Sequence, residues 1–422
     1  MGKQFDKARQ LDDTYVMHTF ARKPVEFVSG AGQWLIDDDG NEYLDFLSGI
    51  GVVSVGHCNT RVTEAVTEQA NKLLHVSNYF YIEHRGELAE RISDMLAHGT
   101  DGVWQTFFAN SGAEANEGAI KLARLWGAKN LGGAHGIISA EKSFHGRTLA
   151  TLAATAQDNK QDPFAPLPAG FGRTPLNDVD ALAQALDGEV DGTRPCALML
   201  ECVQGESGVW PCTLEYLQAA REMTRERNML LIVDEVQTGF CRTGSYFAFQ
   251  AYGIEPDIVT MAKGIADGIP MGGFAAKTEL ASLMQPGMHG TTFGGGPLAC
   301  AAADATTRIM CEEGFLDHVN EMGSYLRERL AELPFVTDVR GRGLMCGISL
   351  DKPLANQVVL NALRHGFVLN APAADIIRLL PPLIIEQEDI DALAEALPTI
   401  YEEVARRVRT RLPVAIACGC SI

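Results

Sequence analysis

The hydrophobic and polar positions along this chain divide it into three regions. In the first, residues 1–60, Gln33-Trp34-Leu35-Ile36 and Tyr43-Leu44-Asp45-Phe46-Leu47 flank a turn cluster, Asp37-Asp38-Asp39-Gly40-Asn41. Two short apolar runs around such a turn predict a β-hairpin. From 61 to 310, helical periodicity alternates with short continuous apolar runs, which predicts an α/β layer with a mostly parallel sheet. From 311 to 422 the pattern changes again. Phe315, Val319, Met322, Leu326, Leu330 and Leu333 share one helical face. Short strands are predicted near Val336–Arg340, Leu344–Leu350 and Arg378–Leu380. The first and last regions together predict a smaller α+β unit beside a large one.

Within the middle region, four apolar runs end in polar residues. Val103–Ala109 leads into Asn110-Ser111-Gly112, and Ala197–Leu200 into Glu201-Cys202-Val203-Gln204-Gly205-Glu206. Met229–Val233 leads into Asp234-Glu235-Val236-Gln237, and Ile258–Met261 into Ala262-Lys263-Gly264. Strands buried on both faces read as such runs, and open α/β sheets bind ligands beyond the carboxyl ends of their strands. Ser, Glu, Gln, Asp and Lys therefore converge on one sheet edge.

Composition changes this picture little. Hydrophobic residues make up 46% of the 422 and charged residues 21%, as in an ordinary globular enzyme. The net charge of −19 argues against nucleic acid and anionic membranes as partners. No apolar run reaches the about 18 residues of a membrane span, and the first residues carry no signal-peptide pattern. The ten cysteines form no CxxC pair and no zinc spacing, so no metal is expected. Reduced thiols in a cytoplasm are the expectation. Cys418 and Cys420 form a close pair in a short tail.

Each candidate residue also has a plainer reading. Ser111-Gly112-Ala113 precedes a helix whose Ala115, Ala119, Leu122 and Ala123 share a face. That start suits a phosphate, although Ser111 alone reads as an N-cap. Phe144 of Phe144-His145-Gly146-Arg147 can stack on a flat ring, and Arg147 offers a fork for a carboxylate. Asp234 can keep a pyridine nitrogen protonated, with Gln237 near the ring hydroxyl. A nucleotide-binding Asp is the rival, but the chain has no G-x-x-x-x-G-K-[ST] loop. Lys263 follows an apolar strand, where a lysine is partly desolvated. The segment Met288–Pro297 carries Thr291 and Thr292 among glycines. Arg378, between apolar residues, is placed to hold a substrate carboxylate or a structural ion pair.

Taken together, Phe-X-Asn-Ser-Gly-Ala-Glu-Ala-Asn-Glu, Phe-His-Gly-Arg-Thr, Asp-Glu-Val-Gln-Thr-Gly, Ala-Lys-Gly and Thr-Phe-Gly-Gly resemble the class III (ornithine-type) aminotransferases. The resemblance runs from about Tyr15 to Ile400. It implies fold type I of the pyridoxal 5'-phosphate enzymes, with a seven-stranded sheet, and a homodimer with shared active sites. It implies that Lys263 carries the cofactor on its amine and moves the proton. Asp234 would meet the pyridine nitrogen, Gln237 the ring hydroxyl and Phe144 the ring face. Ser111, Gly112 and Ala113 would form the phosphate cup, with Thr292 reaching the phosphate of the partner subunit. Arg147 and Arg378 would hold substrate carboxylates, Thr291 would line the substrate site, and Glu206 would pair with Arg378.

Within this family, Gly56-His57-Cys58, Leu74-His75-Val76-Ser77-Asn78 and Arg378-Leu379-Leu380-Pro381-Pro382 point to an acylated ornithine as amine donor. Ile50 stands where ornithine-specific members carry a tyrosine, and it cannot hydrogen-bond a free α-ammonium. The expected reaction moves the δ-amino group of N2-acetylornithine to 2-oxoglutarate, in arginine biosynthesis. Succinylornithine, ornithine, 4-aminobutyrate and a lysine precursor are rival donors. A non-catalytic pyridoxal-phosphate-binding regulator is the rival of another class. Cys202, Ser207, Gly296, Cys241 and Asn59-Thr60 depart from the family pattern, the first two beside Glu206.

Overall fold

The computed structural model describes residues 3–411; Cys418 and Cys420 lie outside the described residues. The hairpin predicted at the N-terminus forms from Trp34–Asp37 (β2) and Glu42–Asp45 (β3), with Phe27–Ala31 (β1) added on the outer side. Asp37 closes the turn by accepting from the Asp39 and Asn41 amides, at 3.0 and 2.8 Å.

The central sheet contains Trp104–Ala109 (β4), Gly136–Ala140 (β5), Phe171–Thr174 (β6) and Pro195–Leu200 (β7). A small ribbon follows, Val203–Gln204 (β8) with Trp210–Pro211 (β9). Leu230–Asp234 (β10), Ile258–Met261 (β11) and Gly272–Lys277 (β12) complete the seven strands. Their order is β4-β12-β11-β10-β7-β5-β6, and all run parallel except β12. The fold is α/β, with the predicted sheet. The antiparallel β12 has a simple cause. Parallel strands need a crossover of a dozen or more residues, and residues 262–271 are too few to supply one.

The continuous apolar runs are buried because both faces of the sheet are covered. Strand alternation splits them between two clusters. Ala197, Met199, Leu230 and Ile232 pack with Ala119, Leu122 and Ala123 of the helix Gly112–Asn130. Leu198, Leu200, Leu231 and Val233 join the cluster that holds Tyr216, Leu217 and Ala220 of the helix Leu214–Glu226. Each such fully buried aliphatic side chain stabilises the fold by about 1.5–3 kcal/mol.

Beyond the helix Phe315–Ala331, which buries Val319, Met322, Leu326 and Leu330, a second sheet forms. It contains Val336–Arg342 (β13), Met345–Leu350 (β14), Asn370–Ala373 (β16) and Ile376–Leu379 (β17), in the order β13-β14-β17-β16. Between them, Phe367–Val368 (β15) pairs in parallel with β3. The chain thus brings its N-terminal hairpin and its last third together. No helix among the described residues is long and apolar enough to cross a membrane.

Candidate active site

A cavity of about 360 Å³ lies beyond the carboxyl ends of β4, β5, β7, β10 and β11. Asp234, Lys263, Gln237, Phe144, Arg147, Glu201 and the Ser111–Ala113 turn all line it. This is the edge to which the apolar runs delivered polar residues.

At one end the helix Gly112–Asn130 begins. Ser111 is its N-cap, its Oγ accepting from the Glu114 amide at 3.2 Å. Glu114 reaches back to the Asn110 amide at 2.5 Å. The two readings of Ser111 are therefore not alternatives, because a capped helix still presents its first N–H groups, positive end outward. Gly112 is needed here for space: a Cβ would stand 2.7 Å from Cγ1 of Val236.

At the other end lies Asp234, the last residue of β10 and only 4% exposed. Its Oδ1 accepts from the Val236 amide at 3.0 Å. Its Oδ2 accepts from Asn116 Nδ2 at 2.8 Å and lies 2.8 Å from His145 Nδ1. Burial opposes a charge on His145, but the bond to Asp234, the charge of Asp234 and that of Glu201 outweigh it and hold the ring's pKa above its ordinary value. Asn116 also donates to the His145 carbonyl at 2.7 Å. The carboxylate is thus fixed in place.

Lys263 sits between these ends. Its backbone is left-handed, φ +47°, a conformation that costs a non-glycine residue about 1–3 kcal/mol and concentrates at functional sites. Burial pulls its amine below the ordinary lysine pKa, against the opposing charges of Glu206 and Asp234. Phe144 forms a side wall, its amide donating to Glu201 at 3.1 Å. Burial raises the Glu201 carboxyl to about 8. The Arg147 guanidinium lies 5.4 Å from the Phe144 ring centre and the Lys160 amine 5.9 Å from it.

The rim carries an ion pair. Arg378 on β17 donates to Glu206 at 2.7 Å and to Gln237 at 3.2 Å, and Gln237 donates to Glu206 at 3.4 Å. Asn370 receives Arg378 Nε and Nη2, at 3.2 and 2.9 Å. Burial works against the Glu206 charge, but Arg378 overcomes it and holds the carboxyl below its ordinary pKa.

Three sequence candidates lie elsewhere within the chain. Thr291 and Thr292 line a second hollow of about 780 Å³, with His75, Ser77, Asn78 and Arg85. There Thr291 accepts from Asn110 at 3.2 Å. Ile50 packs beside Val203, Val209, Met345 and Leu380, and Val52, two residues on, reaches the Lys263 cavity. Among the described residues no cluster of three His, Cys, Asp or Glu is placed to hold a metal.

Sequence reasoning overlooked His145, Asn116 and Asn370 as partners of the two key charges. His145 and Asn116 were in view as letters of motifs. Only the fold shows that His145, which lines the cavity beside Phe144, meets Asp234.

Together the residues fit a flat heteroaromatic ring with a phosphate at one end and a carbonyl. The helix start suits the anion, Phe144 the ring face, Asp234 a protonated ring nitrogen, and the depressed Lys263 amine a carbonyl carbon. Pyridoxal 5'-phosphate has each of these parts.

Comparison with known proteins agrees. Residues 17–401 match the family model described as aminotransferase class-III. The acetylornithine aminotransferase of Caldanaerobacter subterraneus is 45% identical over 395 residues, covering 92% of this chain and 98% of that one. The acetylornithine aminotransferase of Methanocaldococcus jannaschii is 45% identical over 401 residues, covering 94% and 98%. A structure of the ornithine aminotransferase of Toxoplasma gondii, with partial occupancy of pyridoxal phosphate at its active site, superposes with a TM-score of 0.87. It is 31% identical and covers 96% of each chain. Motifs, sheet and cavity converge, and the chain belongs to the class-III aminotransferases, enzymes that use pyridoxal 5'-phosphate.

Proposed function

We propose that this aminotransferase moves the δ-amino group of N2-acetylornithine to 2-oxoglutarate, giving N-acetylglutamate 5-semialdehyde and glutamate. One observation carries the reading. Arg147 lines the Lys263 cavity, and Gln237 on its wall accepts from a second arginine, Arg378, which is covered by a carboxylate, Glu206. A 2-oxoglutarate molecule needs two cationic sites, one per carboxylate. N2-acetylornithine needs one, for its single carboxylate. A pair that opens for one substrate and closes for the other accommodates both.

Pyridoxal phosphate, when bound, supplies the carbonyl that takes the amino group and a ring that accepts the electron pair. The protein's residues do the rest. Ser111, Gly112 and Ala113 bind the phosphate, Phe144 packs on the ring, and Asp234 holds a proton at the ring nitrogen. Gln237 serves the ring hydroxyl. Lys263 Nζ, its pKa pulled down by burial, takes a proton from the substrate carbon and returns it. Arg147 binds the carboxylate of N2-acetylornithine and the distal one of 2-oxoglutarate. Arg378 binds the α-carboxylate of 2-oxoglutarate once Glu206 turns aside. Ile50 offers no partner to a free α-ammonium, which favours an acylated donor.

Thr291 and Thr292 then act across a homodimer, Thr292 at the phosphate of the partner subunit and Thr291 at its substrate site. The exposed Tyr79, Phe80, Tyr81 and Phe293, which include neighbours of this hollow, supply an apolar face for that contact. Residues 61–310 form the large unit, and the described residues of the first and last regions the small one, supported by the β3–β15 pairing. The enzyme works in the cytoplasm. Steady-state assays with a donor panel test the reading: kcat/KM should be highest for N2-acetylornithine. A higher value for ornithine, 4-aminobutyrate or succinylornithine would replace the donor named here.

A further inference from the structure

Glu206 does not sit on the central sheet. It lies in the turn between β8 and β9, and that turn rests on the other sheet. The register across the second sheet is informative. Arg340 on β13 stands opposite Gly347 on β14, Gly347 opposite Arg378 on β17, and Arg378 opposite Asn370 on β16. Directly opposed residues project from the same face. Two arginines therefore flank a glycine in one row.

The turn fills the gap over that glycine. A Cβ on Gly347 would come within 2.9 Å of both the Gly208 carbonyl oxygen and Val209 Cβ. On one side Arg378 donates to Glu206. On the other, Arg340 Nε donates to the Gly208 carbonyl at 2.9 Å, and its guanidinium lies 3.7 Å from the Trp210 ring centre. Trp210 closes the turn by donating to the Ser207 carbonyl at 3.0 Å. Arg340 is itself fixed by Asp338 and Ser349, at 2.6 and 2.8 Å, and is 9% exposed. Gly208 has φ +122°, a backbone that other residues rarely adopt.

The same turn is thus gripped twice. The grip by Arg340 uses backbone and an aromatic face, neither of which any substrate replaces. The grip by Arg378 uses a carboxylate, which a substrate carboxylate can replace. We infer that Arg340 is a positioning residue for substrate selection: it anchors the Glu206 turn to the sheet that carries Arg378, so that only the Glu206 side chain moves when 2-oxoglutarate replaces the amine donor. This rests on the masking of Arg378 proposed above.

The test compares the two half-reactions of the holoenzyme, since kcat/KM for each substrate is measured separately. In Arg340→Gln, kcat/KM for N2-acetylornithine should fall about tenfold, as a lost charged hydrogen bond predicts, while that for 2-oxoglutarate stays nearly constant. Arg340→Lys keeps the charge but not the planar fork, and should show the same split. Iodide quenching of Trp210 fluorescence, assigned by difference from Trp210→Phe, should rise in both variants. In a Glu206→Gln background, Arg340→Gln should add no further split.

Parallel loss in both half-reactions, additive effects with Glu206→Gln, full retention by Arg340→Lys, or unchanged quenching would each overturn the role of Arg340. The underlying masking fails separately. If Glu206→Gln alone leaves the ratio of the half-reactions unchanged, Arg378 is not masked, and the role of Arg340 falls with it.

Discussion

Asp234 at the bottom of the cavity accepts from a backbone amide, from Asn116 and from His145, all within 3.0 Å. Glu206 at the rim is held by Arg378 and, more loosely, by Gln237. The first carboxylate ends a strand of the central sheet, and its partners come from the loop after it, the helix Gly112–Asn130 and the loop after β5. The second sits in a turn, and its main partner comes from a different sheet. The bottom has one arrangement, because moving Asp234 would strand three donors in a buried place, at about 1–3 kcal/mol each. On the proposed switch the rim has two, because a substrate carboxylate would replace Glu206 on Arg378 with the same chemistry. A fixed bottom suits a cofactor that never leaves during turnover. A replaceable rim suits two substrates that alternate.

Substitutions at the bottom should damage both half-reactions alike, and those at the rim should separate them. The largest effect is expected for Lys263→Ala, with kcat lower by about 10³-fold or more in both directions. Asp234→Asn keeps the shape but removes the charge, and should cost about 100-fold in both half-reactions. Unequal losses at Asp234 would break the distinction. At the rim, Arg378→Gln should lower kcat/KM for 2-oxoglutarate by about 100-fold. The same change should affect N2-acetylornithine much less. Parallel loss for the two substrates would show that the rim does not switch.

The same contrast describes what the sequence made legible. The bottom was readable because four apolar runs each stop at a polar residue, and a parallel sheet aligns those stops on one edge. The pairing of Arg378 with Glu206 came only through the family resemblance, since they are 172 positions apart and belong to different sheets. The row that joins Arg340, Gly347, Arg378 and Asn370 depends on strand register, which no local pattern in β13–β17 specifies. His145 escaped notice for a similar reason: it meets Asp234 from 89 positions away, which no local pattern shows. The antiparallel β12 was hidden because its Gly272–Lys277 run is as buried as its parallel neighbours.

The smallest effect concerns stability and lies outside the cavity. Burial raises the Glu235 carboxyl to about 7 from 4.5, against the hydrogen bonds from Thr238 and the Phe249 amide. The folded protein therefore holds a proton that the unfolded chain releases. Stability from this group is full below pH 4.5 and is lost as pH rises through about 7. Glu235→Gln should flatten this part of the thermal-midpoint profile while leaving the two half-reactions in proportion. An unchanged slope would assign the loss to other groups.

The kinetic expectations all depend on the cofactor being joined to Lys263. Borohydride reduction of the holoenzyme, followed by peptide mass mapping, tests that directly. The phosphopyridoxyl group is expected on the peptide containing Lys263, and on no peptide of Lys263→Ala. Attachment instead at Lys160, whose amine lies near the Phe144 ring, or at any other lysine, would contradict the assignment of this cavity.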